Sequence, residues 1–205
     1  MAVTELIKKA VSDDALALLH SIMLDPAFND FYLVGGTALA LHIGHRISVD
    51  IDLFTIESFN VQQISDALSN VYAAKEIEVE RDTVRAVIDN IKIDLMTHKY
   101  PLLEPLVKMN SVRVAHLKDI AAMKINAIAS RGSKKDFWDF AALLDFFPAE
   151  DMLSFFQAKY SHANVWHAEK SLSYFDDADL EPDPNYITGK TWEEIKLLIN
   201  SSLKV

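Results

Sequence analysis

The stretch that decides the fold is Leu33 to Phe54, LVGGTALALHIGHRISVDIDLF. An apolar strand over 31–34 runs into Gly35-Gly36, which opens a short apolar helix over 36–43. A polar turn, His45-Arg46-Ile47-Ser48, leads to a second strand over 49–53 that carries Asp50-Ile51-Asp52. Strand residues two apart project to the same face. The two carboxylates therefore stand together, with Val49, Ile51 and Leu53 expected on the opposite, buried face. Glycine lets a backbone approach a phosphate closely, and a helix starting there offers unpaired N–H groups. Two carboxylates beside such a turn suit a divalent cation carrying a phosphate. Thr37 is placed to donate to that phosphate or to cap the helix. Arg46 and Ser48, just ahead of the aspartates, either reach a bound triphosphate or base or are ordinary loop residues. His42 and His45 have no further His or Cys at ligand spacing nearby, which argues against zinc.

Upstream, apolar residues at helical spacing predict a helix over 4–24, ended by Asp25-Pro26. Downstream, Ser58 to Asn60 can cap a helix over about 61–73. Residues 76–97 change to a period of two: Ile77 to Glu80, Val84 to Ile88, a turn at Asp89-Asn90, then Ile91 to Met96. This predicts an antiparallel meander. In its last strand Lys92, Asp94 and Met96 share one face, so Asp94 is a third strand-borne carboxylate, expected beside the Asp50/Asp52 strand.

After a loop at 100–105 the chain is expected to be helical from about Ser111. The helices read as 116–131, 133–147, 149–160, 163–175 and 191–202, with an acidic loop over 176–184. The fold class is α+β: a small mixed β-sheet domain flanked by helices, residues 1–110, then a helical domain, residues 111–205. In the second half, Lys124, Ala127 and Arg131 form one helical stripe. The small alanine leaves room for a ligand between two cations. Lys135-Asp136 and Asp139 open the next helix, where carboxylates suit the dipole, and Trp138 reads as core packing.

The totals set outer bounds. The 205 residues are half hydrophobic and 24% charged, with no Cys, so disulfides and thiol chemistry are excluded. No apolar run approaches the ~20 residues of a membrane span. MAVTELIKKA lacks the apolar core of a signal peptide, so a cytoplasmic protein with no membrane partner is expected. The formal net charge of -10 disfavours a broad non-specific grip on nucleic acid. The charge is uneven, however. Residues 81–135 hold 11 Lys/Arg against 5 Asp/Glu, and residues 136–205 hold 5 against 13. A positive cleft on an acidic molecule fits that pattern.

An apolar residue, Gly-Gly, about a dozen residues and Asp-x-Asp between apolar residues resembles the signature of the DNA polymerase β-like nucleotidyltransferase superfamily. The fuller string, GGTAL and HRxSxDIDLF with Lys124, Ala127, Arg131, Lys135-Asp136 and Asp139 downstream, resembles the AbiEii/AbiGii toxin family in particular. The resemblance spans roughly residues 30–145. It implies a polymerase β-like nucleotidyltransferase domain over 1–110 and a helical domain completing the active-site cleft.

It further implies that Gly35, Gly36 and Thr37 hold the triphosphate, that Asp50 and Asp52 bind the catalytic metals, and that Lys124 contacts the phosphates. Arg131 and Asp136 stand as further active-site residues, with Asp139 in support. Asp94 matches the superfamily's third carboxylate, a metal ligand or general base. The implied cofactor is Mg²⁺ in a two-metal site, or Mn²⁺. The implied reaction moves a nucleoside monophosphate from an NTP to a hydroxyl, the acceptor being a tRNA 3′ end, within a bacterial toxin–antitoxin or phage-defence system with a cognate antitoxin. The alternatives are nucleotidylation of a protein or small molecule, or a catalytically idle nucleotide-binding protein. Where the family commonly has Arg, this chain has Lys135, which keeps the charge and loses the bidentate fork.

Overall fold

Period-two segments become strands and period-3.6 segments become helices, in the computed structural model that describes residues 9–187 and 189–203. The strands are β1 (Tyr32–Val34), β2 (Ile51–Thr55), β3 (Lys75–Glu80), β4 (Thr83–Ile88), β5 (Ile91–Thr97), β6 (Val107–Met109) and β7 (Val112–Val114). They form one mixed sheet in the order β3-β4-β5-β2-β1-β7-β6. The expected meander is β3-β4-β5, and its β4–β5 turn places Asp89 and Asn90 both at positive φ, as a tight two-residue hairpin requires. β2 then runs parallel to β5, and β1 antiparallel to β2. The α+β expectation holds as a seven-stranded mixed sheet with helices around it.

The helices are α1 (Asp13–Leu24), α2 (Gly35–Ile43), α3 (Val61–Tyr72), α4 (Leu117–Arg131), α5 (Lys134–Leu143), α6 (Ala149–Lys159), α7 (Val165–Ser171), α8 (Asp176–Asp179) and α9 (Trp192–Ser202). Ile64 and Leu68 on α3 are buried against β3 and β4. That covers one face of the meander. α4 packs on α2, α5, α6 and α7, so it sits at the centre of the helical half. Its N-terminal turn is fixed by buried Asp119, which accepts from Leu103 N–H (3.0 Å) and from the Lys159 ammonium (2.7 Å).

Several expectations change. Residues 107–114 form a β6–β7 hairpin on the sheet edge, across the boundary expected at 110/111, and helix does not begin until Leu117 rather than about Ser111. Unlike the wholly apolar β1, β6 and β7 have three residues each with a basic residue in the middle and carry too little pattern to read. Arg113 locks this hairpin by donating to the carbonyls of Phe31, Met23 and Phe28. β2 starts at Ile51 rather than 49, so Val49 is 55% exposed instead of buried.

The helix expected over 4–24 is interrupted. α1 starts after Ser12, whose hydroxyl accepts from Ala15 N–H (3.2 Å), and residues 4–8 lie outside the described residues. The helix expected at 163–175 is only Val165–Ser171, and the acidic loop contains the short α8. Among the described residues no helix is long and apolar enough to cross a membrane.

Candidate active site

β1 ends at Val34, and the chain turns into α2 through Gly35 at φ 71. A Cβ at Gly35 would overlap the Asp52 carboxylate, and a Cβ at Gly36 would overlap the Arg46 guanidinium. Both glycines are therefore fixed by close approach: one admits the carboxylate against the start of α2, the other admits the arginine behind it. β2 and β5 are in parallel register with Asp52 opposite Asp94, and Asp94 is in turn opposite Arg85 on β4. Neighbouring strands lie about 4.8 Å apart. Two carboxylates are thus forced side by side by the backbone ladder.

Asp52 pays for that position. Burial pushes its pKa up to about 6, the charges of Asp94 and Asp50 add to the rise, and Lys124 opposes it. Asp94 is raised too, by burial and by Asp50, against Arg85. Asp50 precedes the strand, and its carbonyl accepts from the Thr37 hydroxyl, which also lies 2.9 Å from Ser48 Oγ.

The facing wall is α4, and an open cavity of about 320 Å³ lies between. Val34, Gly35, Asp52, Phe54, Met96 and His98 line it from the sheet side; Met123, Lys124, Ala127 and Arg131 line it from α4. The Lys124–Ala127–Arg131 stripe read from the sequence is therefore a cleft wall. Behind it lies an ion cluster. Lys124 Nζ is 3.0 Å from Asp136 Oδ1 and 2.5 Å from Asp139 Oδ2. Arg46 holds Asp139 with two bonds, Nε to Oδ1 at 2.5 Å and Nη2 to Oδ2 at 2.9 Å. His45 Nε2 adds a third contact at 2.7 Å, and Arg131 clamps Asp136 through Nε at 2.7 Å and Nη2 at 3.1 Å.

Asp136 and Asp139 are both 0% exposed. Burial works to raise both. Lys124 with Arg131 holds Asp136 below the usual carboxylate range, and Lys124 with Arg46 holds Asp139 well below it. Burial also lowers the His45 pKa against its Asp139 bond, so His45 is neutral at pH 7 and Nε2 donates. Three cations face two carboxylates, leaving one surplus positive charge behind the Asp52 side of the cleft.

These positions redistribute the residues read from the sequence. Gly35, Asp52, Lys124 and Arg131 meet in the cleft. Asp94 stands beside Asp52 in register, and Asp50 lies just before it in the chain. Thr37, Arg46, Ser48 and Asp136 are all buried, with Thr37 1% and Arg46 6% exposed. Their polar groups are spent on Asp50, on Ser48, on Asp139 and on the two cleft cations. Each of these side chains is tied to a neighbour within the fold.

Lys124 keeps its cleft position, though its ammonium is shared with two aspartates. Trp138 is core, at 2% exposed. Sequence reasoning missed Phe54, Met96 and His98. The signal was present, since each continues the same-face alternation from Asp52 or Asp94. It also missed the segment 185–187, which pairs with the 45–47 turn through Ile47 N–H to Asn185 O and Ile187 N–H to His45 O, both 2.9 Å.

A carboxylate pair on adjacent strands at a glycine-opened helix N-terminus thus faces a cationic helix across a cleft. The comparisons give the class of protein as a nucleotidyltransferase. Residues 17–199 match the family model described as "Nucleotidyl transferase AbiEii toxin, Type IV TA system", and the chain belongs to that family. It is 37% identical over 191 residues to the uncharacterized protein aq_aa25 of Aquifex aeolicus, covering 86% of this chain and 87% of that one. Three solved structures share the fold. MenT4, a nucleotidyltransferase toxin of Mycobacterium tuberculosis, superposes with TM-score 0.62 at 12% identity, over 99% of this chain and 88% of that one. JHP933 of Helicobacter pylori superposes with TM-score 0.56 at 18% identity, over 94% and 91%. The antibiotic-resistance factor ANT(2'')-Ia superposes with TM-score 0.54 at 16% identity, over 73% and 94%.

Proposed function

We propose that the protein transfers a nucleoside monophosphate from an NTP to a hydroxyl acceptor and releases pyrophosphate, as the toxin of a type IV toxin–antitoxin pair in the cytoplasm. The observation that carries this is the Asp52–Asp94 register pair beside Gly35, facing Lys124 and Arg131 across one cleft. In this reading the backbone at Gly35-Gly36 and the start of α2 receive the phosphates. Lys124 and Arg131 oppose the charge of the triphosphate, pre-oriented by Asp136 and Asp139 so that no reorganisation is needed as charge develops. Asp94 is placed to accept the proton of the acceptor hydroxyl.

The carboxylate oxygens of Asp50, Asp52 and Asp94 fit a hard divalent cation by donor chemistry, and such a cation would offset the burial and the neighbouring carboxylates that raise the Asp52 pKa. Among the described residues no three His, Cys, Asp or Glu side chains converge on one point, so Asp50 must turn inward to complete such a set. A bound Mg²⁺ or Mn²⁺, singly or as a pair, would neutralise the triphosphate and the leaving pyrophosphate. On this reading the sheet half over 1–110 carries the metal and the triphosphate, and the helical half over 111–205 supplies the cations.

For the acceptor we propose a tRNA 3′ end, which the positive middle of the chain can approach. A second acceptor class, a cationic small molecule or basic protein segment, is favoured by the acidic balance of the whole chain, whose formal net charge of -10 suits such an acceptor better than a phosphate backbone. Incubation with each α-labelled NTP, Mg²⁺, and either total tRNA, a basic protein or an aminoglycoside decides between them. Label on one acceptor, lost in Asp52→Asn, supports transfer and names the class. No label on any acceptor, with no NTP binding, removes the enzyme reading.

A further inference from the structure

The acidic loop over 176–184 runs on into a segment that ties together two elements of the ion cluster behind the cleft. One of them is the start of α5. Its N-cap residue, Ser133, makes no side-chain bond to the helix. Glu181 supplies the cap from 48 residues further along the chain. One of its carboxylate oxygens accepts from Ser133 Oγ at 2.7 Å and from Lys134 N–H at 2.9 Å. A carboxylate at that end also suits the helix dipole. Lys134 is only 4% exposed, and its ammonium lies 3.1 Å from Asp183 Oδ1 and 5.2 Å from the centre of the Trp192 ring. A buried cation stripped of its carboxylate is costly. The first turn of α5 therefore depends on this segment for its cap and for its charge balance.

The other element is the 45–47 turn. Ile47 N–H donates to Asn185 O and Ile187 N–H to His45 O, which sets Arg46 and Tyr186 opposite each other. The Tyr186 ring lies 4.4 Å from Trp138 on α5 and 6.2 Å from His45 on the turn. Pro182 and Pro184 each fix a backbone φ, which lowers the entropy cost of holding the segment in place. Residues 181–187 are thus a strap between the turn and α5.

Through Arg46 the strap reaches both walls of the cleft. The Arg46 guanidinium holds Asp139, which shares the Lys124 ammonium, and it occupies the space that a Cβ on Gly36 would need. A displaced turn would move the Lys124 ammonium on one side and the Gly35-Gly36 backbone on the other. Among the described residues, none of the strap lines the cleft itself.

We propose that Glu181 and Tyr186 are positioning residues for the donor triphosphate: the strap they anchor sets the spacing between Gly36 and Lys124 without touching the nucleotide. The inference rests on the nucleotidyl-transfer reading above.

Titration calorimetry with Mg²⁺ and each of CTP, UTP, ATP and GTP tests it, run well below the thermal midpoint of every variant and paired with hydrogen exchange. Glu181→Ala should speed exchange at the Lys134 amide, and Tyr186→Leu at the Ile47 amide. Both are expected to weaken the tightest-binding NTP about fivefold or more. Glu181→Gln keeps an acceptor oxygen for both donors, so it should bind within about twofold of the unaltered protein. Asn60→Ala is the control for general loosening. It removes the cap of α3, a helix that does not border the cleft, and should lower the thermal midpoint while leaving NTP affinity alone. Unchanged NTP affinity or unchanged exchange in the two strap variants overturns the proposal. So does an equal loss of affinity in Asn60→Ala, or a Glu181→Gln that binds as weakly as Glu181→Ala. If no triphosphate binds the unaltered protein, the transfer reading fails first and takes this one with it.

Discussion

Two groups of charged side chains meet at this cleft, and they are built on opposite principles. Behind α4, Asp136 and Asp139 are fully buried, and their contacts to Lys124, Arg131, Arg46 and His45 hold them ionised. Opposite α4, Asp52 and Asp94 lie side by side in register; burial raises both pKa values, with Asp94 and Asp50 adding to the rise at Asp52 and Asp50 to that at Asp94. The first group is neutralised from within and acts as a frame. The second is left short of positive charge and acts as a receptor for it. The difference teaches where function sits. Balanced buried charge stabilises geometry, whereas unbalanced charge at an opening is available for a ligand.

The largest effect that would break this comparison is at Asp52. Asp52→Asn is expected to reduce nucleotidyl transfer on the order of 10³-fold or more, the scale of losing a group that organises transition-state charge. In the metal-free protein it is expected to raise stability by on the order of 1–2 kcal/mol near neutral pH, because the buried carboxylate no longer has to ionise. Label transfer and urea denaturation check the two halves. A loss of both activity and stability would place Asp52 in the frame instead.

Asp139→Asn is the converse. It leaves Arg46 and Lys124 buried beside a neutral amide and is expected to cost about 3–5 kcal/mol, read by urea denaturation. Gly36→Ala comes next, since its methyl group must displace the Arg46 guanidinium. A cost of about 1–3 kcal/mol is expected, with the thermal midpoint as readout.

The pH dependence sharpens the same contrast. Asp136 and Asp139 are held below the ordinary carboxylate value in the fold. The unfolded chain therefore binds more protons than the folded one as pH falls. Their stabilisation is complete above about pH 5 and is lost as pH falls through and below about 4. Denaturation midpoints between pH 3 and 7 should fall on the acid side, and Asp139→Asn should flatten that limb. The smallest expected effect is Arg131→Ala. Its side chain is 57% exposed, so stability should move by about 1 kcal/mol or less. The KM for the NTP should rise with little change in thermal midpoint. A large loss of stability would show that Arg131 belongs to the frame alone.

The sheet was legible wherever a strand had at least five residues. Residues 77–96 alternate plainly, and the Asp94 strand does neighbour the Asp52 strand, in register. The hairpin at Val107–Val114 was not legible, because three residues give less than two periods and Asn110 alone marks its turn. In the site, Gly35, Asp52, Lys124 and Arg131 were readable as residue types with a reason to converge. Arg46 and Asp136 were readable as charges but not as partners. A guanidinium in a loop near a carboxylate pair looks the same in sequence whether it faces a phosphate or is buried on Asp139, 93 residues away.

The sequence by itself determined the local geometry: a strand that ends in two glycines, an Asp-x-Asp with one-sided projection, and a helix with Lys124, Ala127 and Arg131 on one stripe. These follow from backbone periodicity, which acts within a few residues. Only the tertiary structure decided which charges were consumed and which stayed open. Burial sets the cost of an unpaired charge, and burial is a property of the packed chain. Packing turned Thr37, Arg46, Ser48 and Asp136 inward to neutralise or tether their neighbours. It left Asp52 lining the cleft, with Asp94 beside it in register.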